Sequence, residues 1–155
     1  MSSPEKFEKI LISDKLKDVE MVDFKEILKD PFPVILDTNF LFIAFQFKID
    51  LISELRRVVA GNCKLYLYQG TITELQTIED KGEKNKKFLN LISTFIHRYE
   101  IKVIKSYETY IDKQMMENVS RDVYIATSDK ELRFKLKRAG SKVVFLRQKK
   151  YLDID

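Results

Sequence analysis

Twice in this sequence a short apolar run stops abruptly on an aspartate, and that pattern narrows the folds open to the chain. Pro33-Val34-Ile35-Leu36-Asp37-Thr38-Asn39 is the first instance and Val123-Tyr124-Ile125-Ala126-Thr127-Ser128-Asp129 the second. Consecutive apolar residues, several of them β-branched, suit a strand covered on both faces, which is the condition of strands in a parallel sheet. In open α/β sheets the ligand crevice lies beyond the carboxyl ends of the strands, so Asp37, Asn39 and Asp129 are expected on one binding rim.

The rest of the chain supplies the partners such strands need. Lys64–Tyr68, Ile101–Lys105 and Val143–Leu146 read as three further strands, the second of them alternating as an edge strand does. Between them lie helical patterns. Phe40–Phe47 runs into a helix over Leu51–Val59 stopped by Gly61-Asn62. A second helix opens near Thr71 or Thr73, a third passes through Phe88, Leu91, Ile92, Phe95 and Ile96, and a fourth carries Met115, Met116 and Val119. A basic helix follows over Lys130–Arg138, stopped by Ala139-Gly140. Phe40, Phe42, Phe45 and Phe47 read as core. Strand and helix thus alternate five times, which predicts a five-stranded, mostly parallel α/β sheet with right-handed crossovers and helices on both faces. Residues 31–155 form one domain of sufficient length for a core. Residues 1–30 read as an N-terminal helical extension packed on it, with Phe7, Ile10 and Leu11, then Phe24, Ile27 and Leu28, at helical spacing.

Charge is distributed unevenly. Residues 130–155 hold nine Lys and Arg against three acids, while residues 31–129 are balanced, so a positive field concentrated near the end of the sequence points to a polyanionic partner. A single cysteine, Cys63, excludes an internal disulfide and fits a reducing compartment. No run approaches the roughly 18 apolar residues of a membrane span, and charges stand where a signal peptide needs an apolar stretch. A soluble, cytoplasmic protein with no membrane partner is expected. Only four glycines are present, with no Gly-rich phosphate cradle among them, which ranks a non-nuclease phosphate enzyme lower.

Glu74 and Asp112 join the two aspartates. Each has a plain structural reading: Thr71-x-x-Glu74 has capping-box spacing, and Asp112 suits the first turn of a helix. Both, however, follow the carboxyl end of a predicted strand and are expected on the rim of Asp37 and Asp129, whereas Asp122 falls at the opposite end of the sheet. Converging carboxylates repel one another, and a hard divalent cation removes the conflict. Oxygen ligands without nearby His or Cys favour Mg²⁺ or Mn²⁺ over zinc.

These residues resemble the PIN-domain ribonucleases. Val34–Asn39 is similar to that family's opening motif, Ile72-Thr73-Glu74-Leu75 to its second, and Ala126–Leu132 to its closing Ala-Thr-Asn-Asp stretch, with Asp112 near the position of its third acid. The resemblance spans roughly residues 33–150, and Arg147–Leu152 further resembles the branch that processes small-subunit ribosomal RNA. Two positions depart from the pattern: Ile111 replaces the first of the two adjacent acids often found at the third position, and Ser128 replaces the Asn before the last Asp.

The resemblance implies a three-layer α/β/α fold with strand order 3-2-1-4-5 and a metal-dependent endoribonuclease of ribosomal RNA processing. Asp37, Glu74, Asp112 and Asp129 would be both catalytic and metal-holding. Asn39, Thr127 and Ser128 would orient carboxylates or phosphate, and Arg133, Lys137, Arg138, Arg147, Lys149 and Lys150 would attract the RNA backbone. The implied partners are a ribosomal RNA precursor and a second copy of the chain or a ribosome-assembly protein. Two alternatives stay open: a toxin-type ribonuclease with an antitoxin partner, and a catalytically weak RNA-binding assembly factor, which the single acid at the third position favours.

Overall fold

A computed structural model describes residues 12–106, 111–118 and 120–155, with the side chains of Ser13, Ile111 and Asp112 outside that description. Along the chain, α1 (Ile12–Lys15), β1 (Met21–Val22) and α2 (Phe24–Ile27) precede β2 (Pro33–Leu36). Helices and strands then alternate: α3 (Thr38–Gln46) and α4 (Leu51–Val59), β3 (Lys64–Tyr68), α5 (Gln69–Asp80) and α6 (Lys86–Arg98), β4 (Lys102–Ile104), α7 (Ile111–Glu117), β5 (Tyr124–Ala126), α8 (Lys130–Arg138), β6 (Lys142–Arg147) and β7 (Tyr151–Ile154).

The sheet runs β1-β4-β3-β2-β5-β6-β7, parallel except for the antiparallel β6–β7 pair. Its five central strands stand in the expected order 3-2-1-4-5. β2 is buried at every position because its alternate side chains enter two cores. Val34 and Leu36 pack with side chains of α1, α3, α4, α5 and α6 on one face, while Ile35 packs with Ile27, Met115, Leu132 and Leu136 of α2, α7 and α8 on the other. The chain winds outward from β2 through β3 to β4 under the first helical layer. It returns to β5 and continues to β6 under the second. The reversal lies between β2 and β5, which is the switch point where α/β sheets open a crevice.

Two further strands extend the predicted sheet from five to seven. The strand expected at the edge, β4, is covered by β1 through Met21↔Val103 and Val22↔Ile104. The alternating lysines that made it look exposed face acids of the β1 segment: Lys102 lies 3.4 Å from Glu20 and Lys105 4.0 Å from Asp23. At the other edge Arg147–Tyr151 is a hairpin turn leading into β7, with Gln148 and Lys149 both at positive φ.

The described part of the N-terminal segment packs on the domain. Ile12 and Leu16 are core residues, and both oxygens of the buried Glu79 carboxylate accept the Ile12 N–H, at 3.0 and 3.2 Å. Phe7, Ile10, Leu11 and Val119 lie outside the described residues.

Two helix boundaries differ from expectation. α4 ends on Ala60 in the left-handed region, not on Gly61, because Gly61 serves another need: a Cβ there would run into the Phe32 ring, 2.8 Å from its Cδ2. α5 starts directly from the strand at Gln69, so Thr71 is inside the helix and caps nothing.

Candidate functional site

The β2–α3 and β5–α8 junctions stand side by side at the switch point. Leu36 pairs with Ala126, and the Asp37 N–H continues the ladder by donating to the Ala126 carbonyl at 2.9 Å. Each aspartate then caps the helix that follows it. Asp37 Oδ1 accepts the Thr38 N–H at 2.9 Å, and Asp129 Oδ1 accepts those of Glu131 and Leu132 at 2.9 and 3.1 Å. A carboxylate that caps a helix is oriented by backbone, and the helix dipole favours its charge.

Thr127 ties the two together. Its hydroxyl donates to Asp37 Oδ2 at 2.9 Å and accepts the Asp129 N–H at 3.2 Å, and its side chain is fully buried. Asp37 is itself buried, whereas Asp129 is exposed and its Oδ2 makes no hydrogen bond among the described residues. The arrangement therefore joins the enclosed Asp37 carboxylate to the backbone of the exposed Asp129 through a single hydroxyl.

Glu74 arrives from the neighbouring helix. Thr71 Oγ1 hydrogen-bonds Thr38 Oγ1 at 3.3 Å, which fixes α5 against the residue next to Asp37. Glu74 lies one turn further along the same helix face and is half-buried. Capping-box spacing had suggested a different role for this pair, and the earlier start of α5 removes it. Asn39 is exposed in the first turn of α3, and Ser128 Oγ is buried without a hydrogen-bond partner among the described residues. Asp112 belongs to α7, but its side chain lies outside the described residues. Among the described residues no group of three His, Cys, Asp or Glu side chains is arranged to hold a metal. At the end of β3, burial pushes the Tyr68 phenol up to about 12, against the lowering effect of Asn118, whose Nδ2 donates to its oxygen at 3.4 Å. Tyr68 is therefore a neutral hydrogen-bonding group at this edge.

Asp129 borders two clefts. One of about 390 Å³ is flanked by Lys113, Met116 and Lys135, and the other, of about 200 Å³, by Phe47, Ser128, Arg133, Phe145 and Lys149. The basic residues expected to meet RNA divide accordingly. Arg133 and Lys149 line the second cleft. Lys137 donates to Asp155 at 2.9 Å and Arg147 to Asp153 at 2.7 Å, so their charge is matched locally. Arg138 stacks over the exposed Phe134 ring at 5.6 Å, and Lys150 is exposed on the hairpin. Sequence reading did not find Asp155 or Phe145 as the groups that hold Arg133, since neither belongs to a motif. It also took Phe47 for core; Phe40 is in the core with Phe42 and Phe45 against it, while Phe47 forms cleft wall.

A family model described as a PIN-like domain matches residues 34–149, a span that contains every one of these junctions. The chain belongs to the PIN-like domain family. One curated relative of this PIN-like chain is Ribonuclease VapC4 of Methanocaldococcus jannaschii, 30% identical over 128 residues that cover 79% of this chain and 96% of that protein. Among solved structures, the PIN domain endonuclease Utp24 superposes with a TM-score of 0.66 at 20% identity, covering 83% of this chain and 94% of that one, a likeness of fold.

The donor chemistry of the PIN-like site fits a hard cation. The candidate ligands are all carboxylate oxygens, and among the described residues Asp129 keeps one oxygen outside its cap. No helix among the described residues is long and apolar enough to cross a membrane.

Proposed function

We propose that this PIN-like chain is a cytoplasmic endoribonuclease that hydrolyses RNA phosphodiester bonds with Mg²⁺ or Mn²⁺, its substrate a ribosomal RNA precursor. The observation that carries the reading is the Asp37–Thr127–Asp129 hydrogen-bonded chain at the sheet's switch point. Asp37, Glu74, Asp112 and Asp129 are the proposed metal-holding groups. A divalent cation bound by them supplies charge neutralisation at the phosphate and a water of lowered pKa. Thr127 orients Asp37 by donating to it, and the α3 and α8 caps fix the angle of each carboxylate before substrate arrives. Arg133, Arg138, Lys149 and Lys150 attract and position the phosphodiester backbone, which makes binding salt-sensitive. Similarity to Ribonuclease VapC4 supports the nuclease chemistry, and the basic segment 130–155 supports a polyanionic substrate.

The test is incubation of purified protein with single-stranded and structured RNA in Mn²⁺ or chelator, alongside Asp37→Asn and Asp129→Asn. The expected result is Mn²⁺-dependent cleavage leaving 5′-phosphate and 3′-hydroxyl ends, lost in both variants with the fold retained. Salt-sensitive binding without cleavage at any metal concentration would refute the enzyme reading and leave an RNA-binding factor. A second reading, a toxin-type ribonuclease, is favoured by the relationship to Ribonuclease VapC4. It predicts the same cleavage together with inhibition by a dedicated antitoxin protein, which the ribosomal RNA reading does not require.

A further inference from the structure

We infer that Phe134, on the outer face of α8, is a stacking platform for one base of the bound RNA; this rests on the RNA-binding part of the proposed function. In the nine residues Lys130–Arg138 the apolar positions are Leu132, Phe134 and Leu136. Leu132 and Leu136 are buried and dock the helix on the sheet, whereas Phe134 is 61% exposed, more than any other large apolar residue described. Its ring belongs to neither core cluster, so packing does not account for a phenylalanine at this position.

The surroundings of the ring indicate the class of partner. Five basic residues stand on α8 against one acid. Lys135 is paired with Glu131 at 3.2 Å, while Lys137 and Arg133 meet Asp155 at 2.9 and 3.6 Å. Lys130 and Arg138 have no ion pair among the described residues, and they stand one turn before and one turn after Phe134. The Arg138 guanidinium lies 5.6 Å from the Phe134 centroid. An aromatic ring between two unmatched cations answers both parts of a nucleotide, the ring taking the base and the charges the flanking phosphates. Every base has a π-face, so the contact adds affinity without reading sequence.

Other partners fit this surface poorly. A protein-docking face or an interfacial membrane helix buries a continuous apolar stripe, and the exposed side of α8 offers one ring amid charge. Phe134 is five positions beyond the Asp129 cap, about 7.5 Å along the helix axis. The base it takes therefore belongs to a nucleotide flanking the scissile bond, and Phe134 positions the strand without touching the reacting atoms.

The sequence contains no tryptophan, so Phe134→Trp places a single fluorescent reporter at the platform. The full chain is titrated in chelator with a single-stranded RNA oligomer and, in parallel, with polyphosphate, a polyanion that has no bases. RNA should quench the tryptophan and polyphosphate should not, although both bind the basic surface. In fluorescence anisotropy with labelled RNA, Phe134→Ala should bind about tenfold more weakly than the parent, a loss of the size that unstacking one base produces. Phe134→Tyr should keep the parental affinity, and Phe134→Leu, apolar but not aromatic, should resemble the alanine variant. The slope of affinity against salt should be unchanged in Phe134→Ala and shallower in Arg138→Gln, since only the second removes a charge. Parental affinity in Phe134→Ala, or a tryptophan that responds equally to RNA and polyphosphate, would overturn the inference. So would a tryptophan that responds to phosphatidylserine vesicles and not to RNA, the outcome of a membrane face. The nuclease reading fails on different data, namely no cleavage of any RNA by the parent with Mn²⁺ while RNA still quenches the reporter.

Discussion

Thr127→Val tests the physical link on which the candidate site depends. Valine has nearly the same shape and suits the extended backbone after β5, so the substitution deletes a hydroxyl without opening a cavity. Two hydrogen bonds go with it. The donation to Asp37 Oδ2 is charge-assisted and worth about 1.5–3 kcal/mol, and acceptance of the Asp129 N–H about 0.5–1.5 kcal/mol. Because Asp37 is buried, solvent cannot replace the missing donor without rearrangement. The expected loss is therefore about 2–4 kcal/mol in urea unfolding, or about 5–12 °C in Tm for a domain of this size. RNA cleavage with Mn²⁺ should fall at the same time, since the Asp37 carboxylate and the Asp129 backbone lose their common support. Thr127→Ser, which keeps the hydroxyl, should recover most of both. A Thr127→Val protein less than about 1 kcal/mol weaker than the parent, cleaving RNA at the parental rate, would refute the argument that this hydroxyl organises the site.

Other perturbations address the frame around it. The Arg57 hydrogen bond, helped by the Leu152 N–H, holds the Glu54 carboxyl below its ordinary value despite some opposing burial. Its folded pKa is depressed, so its contribution is present above the ordinary value of 4.5 and is lost as pH falls through the lower folded value. Glu54→Gln should accordingly weaken the fold by no more than about 1 kcal/mol at pH 7, with the difference shrinking as pH falls below 4.5 in parallel urea titrations. In the β6–β7 turn, Gln148→Asn or Lys149→Gly should stabilise by about 0.5–1 kcal/mol by relieving positive φ. Lys149→Gly should at the same time weaken RNA binding and flatten its salt dependence, so that stability and affinity move in opposite directions. Gly61→Ala should cost about 1–3 kcal/mol through the Phe32 ring, and combining it with Phe32→Leu should recover part of that loss in the unfolding midpoint.

The central architecture was legible because it is written in local patterns. Val34–Leu36 and Tyr124–Ala126 carry the unbroken apolar signature of strands covered on two faces, and the helical spacing between strands leaves a parallel sheet as the economical solution. Strands β1 and β7 were not legible for the opposite reason. Met21-Val22 is too short to show a period, and its place beside β4 depends on Glu20 and Asp23 meeting lysines that are distant in sequence. Tyr151–Ile154 follows a turn with no glycine to announce it. Thr71-x-x-Glu74 misled because cap spacing is a sufficient pattern only where the helix begins at the cap, and here it begins two residues earlier, straight from the strand.

Residue order alone determined that Asp37 and Asp129 end adjacent kinds of strand and begin helices, since strand-to-helix junctions follow from backbone sterics and nearest-neighbour periodicity. Tertiary structure alone decided that one hydroxyl, Thr127, joins the Asp37 carboxylate to the Asp129 backbone N–H, that Asp155 and Phe145 hold Arg133, and that Phe47 walls a cleft instead of filling a core. These are contacts between groups separated by up to about ninety positions, as between Asp37 and Thr127. Such contacts are set by sheet register and helix docking, quantities that emerge only when all the layers pack together.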